Sequence, residues 1–248
     1  MKNKGKFIVV EGADGTGKKT QTDMLNEALK REGYPVEMFD FPQYETTFFG
    51  ALVGRFLKGE FGSLNDVNSY LASLTFAGDR WQAKEKISAL KDEGKIVIAN
   101  RYFLSNVAHQ SAKLHRDKRD EFERFLQTLE YGIYGIPKED LNIILTVPPE
   151  ISQRLIEEKS TRAYLGGIKK DIQEDNLDYQ REVSAVYLEL AKRYPGVVEI
   201  DCSGVNGGEL KTREEIHNLI LNEVRRVLEM PEGRIVREGS AFRNERRY

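Results

Sequence analysis

The strongest chemical signal in the chain is the run Gly12-Ala13-Asp14-Gly15-Thr16-Gly17-Lys18-Lys19-Thr20. Gly12 and Gly17 lie five apart and Lys18 follows, which is the spacing of a phosphate-binding loop. Glycines let the backbone curl so that successive N–H groups face phosphate oxygens. A following helix adds the positive end of its dipole. Lys18 would then reach the outer phosphates as a mobile point charge. Lys19 departs from the pattern, because Ser or Thr normally stands there to touch Mg²⁺. A glycine-rich turn that happens to precede a helix is the plain alternative.

Further groups lie along the chain. Arg101, in the run Asn100-Arg101-Tyr102-Phe103-Leu104-Ser105-Asn106, suits a bidentate phosphate clamp or is an ordinary surface arginine. Phe76 and Arg80 are four apart and share one face of a helix. They could stack and edge-bond a nucleobase, or be a core ring beside a solvated charge. Between Glu158 and Asp171, four cations (Lys159, Arg162, Lys169, Lys170) accompany Gly166 and Gly167. That composition fits a lid closing over a nucleotide, or a plain solvated loop.

The elements that must carry these groups are legible from apolar runs. Strands are expected at 7–10, 36–41, 96–99, 143–147 and 197–200. Helical periodicity marks 18–32, 65–93, 121–130, 149–158, 175–193 and 213–229. Alternation of the two implies an α/β fold, a parallel sheet covered on both faces. Ligands then bind beyond the carboxyl ends of the strands, where the loop and Arg101 fall.

Composition narrows the function classes. The 248 residues carry 38 Lys and Arg against 40 Asp and Glu, so nucleic acid or membrane binding is not expected. One cysteine, Cys202, cannot pair internally, which suits a reducing cytoplasm. No apolar run is long enough for a membrane span. From Pro231 to Tyr248 five arginines stand against three glutamates without periodicity, which reads as a solvated, flexible tail.

Taken in order, these segments resemble thymidylate kinase over roughly residues 6 to 228. The match is carried by the loop with its internal Asp14 and by Phe41-Pro42-Gln43-Tyr44. It continues through Phe76-Ala77-Gly78-Asp79-Arg80, through Arg101-Tyr102 with Ser105-Asn106, and through the basic segment with Asp171 and Glu174. The resemblance implies a P-loop NTPase-type three-layer fold, a five-stranded parallel sheet with helices on both faces and a small basic lid. Residues 1–230 would be the kinase domain, with the lid at about 158–171. It further implies a cytoplasmic homodimer that phosphorylates dTMP to dTDP with ATP and Mg²⁺, for dTTP synthesis.

By the same resemblance, residues 12–20 hold the ATP phosphates and Asp14 meets the sugar 3′-hydroxyl and, with Glu174, the metal. Phe41 lines the acceptor site, and Phe76 stacks on thymine while Arg80 bonds its carbonyl edge. Arg101 sits between donor and acceptor phosphates, and Ser105 and Asn106 fall where the base edge is read. Gly15 resembles the branch whose lid supplies the catalytic cation, which points to Arg162 first and Lys169 behind it. Asn100 replaces an Asp, Gln43 stands where some members have Arg, and His109 stands where some have a Tyr that excludes a ribose 2′-hydroxyl. Alternatives are a kinase of the same fold for UMP, CMP or a deoxynucleoside, with Glu11 as the base, or a nucleotide-binding protein without turnover.

Overall fold

A computed structural model describes residues 4–157, 171–173, 176–204 and 209–229. Five strands form one parallel sheet in the order β2-β3-β1-β4-β5. They are β1 (Phe7–Glu11), β2 (Val36–Asp40), β3 (Ile96–Asn100), β4 (Leu141–Thr146) and β5 (Val197–Asp201). The central strand shows why its sequence is apolar without alternation. Phe7 and Val9 enter the core on one face, and Ile8 and Val10 enter the core on the other.

Helices α1 (Lys18–Arg31) and α8 (Arg213–Glu229) cover the second of these faces. The first face carries α3 (Ser69–Asp92), α4 (Phe103–Ser111), α5 (Arg116–Gln127) and α7 (Leu177–Arg193). Helices α2 (Phe48–Leu57) and α6 (Pro149–Glu157) complete the described elements, with a π-helical turn at Thr128–Ile133. Side-chain caps start several of them. Thr47 accepts from Gly50 N at 2.8 Å, and Asn176 accepts from Tyr179 N at 3.0 Å.

Strand positions differ from the sequence expectation by two residues at most, and the five-stranded parallel sheet is the one expected. Two helices escape the periodicity. Helix α4 is buried at all nine positions, so it presents no polar face to reveal its period. Helix α2 reads Phe-Phe-Gly-Ala-Leu-Val-Gly-Arg-Phe-Leu, with apolar residues nearly all round.

The sheet order places a switch point at β1. The chain leaves β1 toward β2 and β3 on one side, then returns to β4 and β5 on the other. The loop after β1 lies at this crevice, which is where such sheets bind ligands. Among the described residues, no helix is long and apolar enough to cross a membrane.

Candidate active site

The loop after β1 is shaped by glycines at specific points. Gly12 has φ 142°, and a Cβ there would stand 2.5 Å from the Leu145 carbonyl oxygen on β4. No side chain fits so close an approach. Gly17, at φ 85°, caps α1 without a side-chain hydrogen bond, so the first-turn N–H groups of α1 stay open to an anion. Lys18 is buried, and its Nζ donates to the Ala13 carbonyl at 2.6 Å. Its ammonium thus lies over the loop's own backbone.

The two departures at the expected metal positions meet at one carboxylate. Lys19 Nζ lies 2.6 Å from Asp23 and 3.6 Å from Asp40, while Asn100 Nδ2 donates to Asp40 at 2.8 Å. Partial burial pulls the Lys19 pKa down, but Asp23 and Asp40 outweigh it and the net shift is upward. Lys19 is therefore a cation tied to the β2 edge.

Arg101 is the hub of the site. It follows β3 and is the one non-glycine residue with positive φ, 67°, among those described. Its Nη2 donates to Asp14. Its Nη1 reaches the Gly12 carbonyl at 3.3 Å, Ser105 Oγ at 3.2 Å and His109 Nε2 at 3.0 Å. The other Asp14 oxygen accepts from Gln180 Nε2 at 3.1 Å. Burial works against the guanidinium charge, but the Asp14 carboxylate outweighs it and the pKa is raised.

These partners fix the state of His109. Arg101 can only donate, so Nε2 must accept, and Nδ1 carries the proton toward Tyr179 Oη at 3.0 Å. The Tyr179 hydroxyl then donates to the His109 carbonyl at 2.9 Å. Burial pushes the imidazole down to about 3, helped by the Arg101 charge. His109 is neutral throughout the physiological range.

Phe41, Phe76, Arg80, Ser105, Asn106 and His109 come together with Asp14 and Arg101 around one cleft. Arg80 is not solvated: Glu130 takes its Nε at 2.6 Å and its Nη2 at 2.7 Å, and both residues are buried. Phe76 is half-buried, edge-on to Phe56 at 6.1 Å. Asn106 donates to Glu130 at 2.9 Å and to the Ser73 carbonyl at 3.1 Å, which leaves Oδ1 without a partner. The Ser105 hydroxyl is turned to Glu11 and Tyr187 rather than held open to a ligand.

Several cleft residues carried no sequence signal. Gln110 lines the cleft fully buried, with neither amide atom partnered. It follows His109 on α4, so a reading of α4 as a helix would have put it one turn beyond Asn106. Behind the cleft lining, the side chains that hold its residues also gave no signal: Glu130 comes from the π-helical turn, and Tyr179, Gln180 and Tyr187 from α7, all distant in sequence from the loop. Asp79, beside Arg80, accepts from Gln43 N at 2.8 Å and from Thr47, and so ties the Phe41–Gln43 turn to α3.

A second cavity opens on the α1 and α8 side of the loop. Leu155, Leu210 and Ile216 line it with Lys211 and Arg213, against Gly15 and Gly17. Arg162, Lys169, Glu174 and the tail 231–248 lie outside the described residues, as does the lid except for Asp171. Among the described residues, no three His, Cys, Asp or Glu side chains group as a metal cage. Asp14 remains as a carboxylate at the loop. Magnesium usually takes one or two carboxylates together with substrate phosphates, so Asp14 fits that mode.

The thymidylate kinase family model matches residues 10–205. A thymidylate kinase of Mycobacterium tuberculosis is 32% identical over 185 residues, covering 75% of this chain and 85% of that protein. One from Plasmodium falciparum is 30% identical over 231 residues, covering 93% and 95%. The solved thymidylate kinase of Candida albicans superposes with a TM-score of 0.69 at 23% identity, covering 94% of this chain and 97% of that one, a likeness of fold.

Proposed function

From the premise that this chain belongs to the thymidylate kinase family, we propose that it transfers the γ-phosphoryl group of ATP to the phosphate of dTMP, yielding dTDP for dTTP synthesis. The observation that carries the reading is the cleft itself. It has a charged Arg101–Asp14 pair at the loop end and the Phe76, Arg80 and Asn106 set at the other.

An incoming thymine presents two carbonyls and an imino N–H between them. Asn106 Oδ1 is an unpartnered acceptor suited to that N–H. Glu130 engages two of the Arg80 nitrogens, so Nη1 is the one left for a carbonyl. Phe76 supplies an apolar face for the ring. Glu130 thus orients both polar readers at once.

The acceptor phosphate has a second pKa of about 6 and is mostly dianionic at neutral pH. No general base is needed, and catalysis reduces to aligning two anions and neutralising the charge between them. We assign that work to Lys18, Arg101 and a lid cation, Arg162 before Lys169. Mg²⁺ would be held by Asp14 and ATP phosphates, with Glu174 as a further ligand, and would neutralise the transferring group. The cavity on the α1 and α8 side is our seat for the donor nucleoside. Exposed Phe48, Leu71, Trp81 and Ile133 support a homodimer, and the buried lone Cys202 a reducing cytoplasm.

Glu11 does not serve a nucleoside acceptor as a base. It is fully buried and both oxygens are occupied by donors. The test is ADP release with ATP and Mg²⁺ across dTMP, dUMP, UMP, CMP, AMP, GMP and thymidine. Fastest turnover with dTMP is expected. A faster rate with UMP or CMP would overturn the base-reading assignments, and silence with every acceptor would overturn turnover itself.

A further inference from the structure

The carboxylate at the end of β1 accepts four hydrogen bonds beside the cleft, and the phosphoryl-transfer chemistry does not use it. Glu11 Oε1 accepts the backbone N–H of Tyr102 at 2.8 Å and of Ser105 at 3.2 Å. Oε2 accepts the Ser105 hydroxyl at 2.5 Å and the Tyr187 hydroxyl at 3.1 Å. Four donors from two helices converge on a side chain with no solvent exposure. A buried carboxylate is costly unless its lone pairs are satisfied in this way.

The donors flank Arg101. Tyr102 is the next residue, and its N–H is the group that a helix normally leaves without an internal partner at the start of α4. Residue 101 itself holds φ 67°, a conformation that a non-glycine residue keeps only where the surroundings enforce it. Glu11 grips the chain just after that strained residue. A second route runs through side chains. Because Ser105 gives its proton to Glu11, its oxygen lone pair is free to accept Arg101 Nη1 at 3.2 Å.

We propose that Glu11 is the positioning residue for Arg101, holding the Tyr102–Ser105 turn and the Ser105 hydroxyl so that the guanidinium faces the phosphate loop. The proposal rests on Arg101 acting as the phosphate clamp, as assigned above. Glu11 touches neither substrate nor reacting atoms. Its effect is confined to ligands that carry a phosphate for Arg101 to hold.

That confinement supplies the test. Binding of dTMP and of thymidine is measured by calorimetry on the full chain for the unaltered protein, Arg101→Ala, Glu11→Gln and the double variant. Arg101→Ala is expected to weaken dTMP roughly tenfold or more and to leave thymidine within about twofold, as for a lost charge-assisted pair. Glu11→Gln is expected to weaken dTMP by about three- to tenfold with thymidine again within about twofold, and to add nothing in the Arg101→Ala background. Equal loss of dTMP and thymidine on Glu11→Gln, or no loss of either, overturns the positioning role. If Arg101→Ala leaves the two ligands in their original ratio, it is the clamp assignment that fails. Should Glu11→Gln not fold, Ser105→Ala severs the side-chain route alone. It must then show the same selective loss of dTMP, and an unchanged ratio overturns the proposal.

Discussion

Gln110 poses the sharpest question at the scale of single residues. A fully buried amide without partners is costly, about 1–3 kcal/mol per unsatisfied group, and is retained where something else repays it. Here it lies one helical turn beyond Asn106 on the cleft wall. If Gln110 faces the nucleobase, Gln110→Leu raises the KM for dTMP by about tenfold while the protein becomes no less stable. Steady-state kinetics and a thermal melt on the same sample check it. An unchanged KM with a raised melting temperature would show that the amide has no ligand.

Elements decide whether the cleft keeps its shape. Phe76 and Arg80 are delivered by α3, and α3 is held against α2 by a contact that leaves no room. A Cβ on Gly78 would stand 2.6 Å from the Phe49 ring. Gly78→Ala therefore drives the two helices apart, at about 1–3 kcal/mol by the usual scale of overpacking, and weakens dTMP binding with it. Urea denaturation measures the first effect. Trimming the ring in the double variant Phe49→Leu/Gly78→Ala recovers part of the loss, because the helices can close again. Stability equal to that of the unaltered protein in the single variant would show that α2 yields freely.

What the sequence discloses divides along the same scale. Strands buried on both faces announce themselves as short apolar runs, and the loop announces itself by glycines that only one backbone path requires. Arg101 and Phe76 could be named in advance because each lies beside a readable element end or helix face, whereas Asn106 could be named only through the family resemblance. Glu130, Tyr179 and Gln180 could not, since they come from segments tens of residues away to hold Arg80, His109 and Asp14 through tertiary packing. Helix α4 hid for the opposite reason, being buried on every side and so without a period to read.

For the molecule as a whole, the neutral His109 ties the site to acid stability. The unfolded chain takes up a proton on this imidazole near pH 6.5, whereas burial holds it off in the folded state down to about 3. Between those values the unfolded state binds the extra proton, so stability falls as pH falls, by up to about 1.4 kcal/mol per unit. His109→Gln keeps an acceptor for Arg101 and removes the proton uptake. Urea midpoints at pH 6.5, 5.5 and 4.5 are expected to drop less steeply in that variant. Parallel slopes in the two proteins would show that His109 does not titrate differently on folding.

The convergence of three elements on Glu11 also bears on how such a chain can change. Tyr187 stands 176 residues from Glu11, yet its hydroxyl and the Ser105 hydroxyl answer the same carboxylate. A graft of α7 that brings in Phe at 187 removes one of four donors from a charge that has no water to turn to. The β1 end, the start of α4 and the middle of α7 are therefore expected to be exchangeable only together. In a shuffled library of relatives, functional chimeras will be those whose crossovers leave these three segments from one parent.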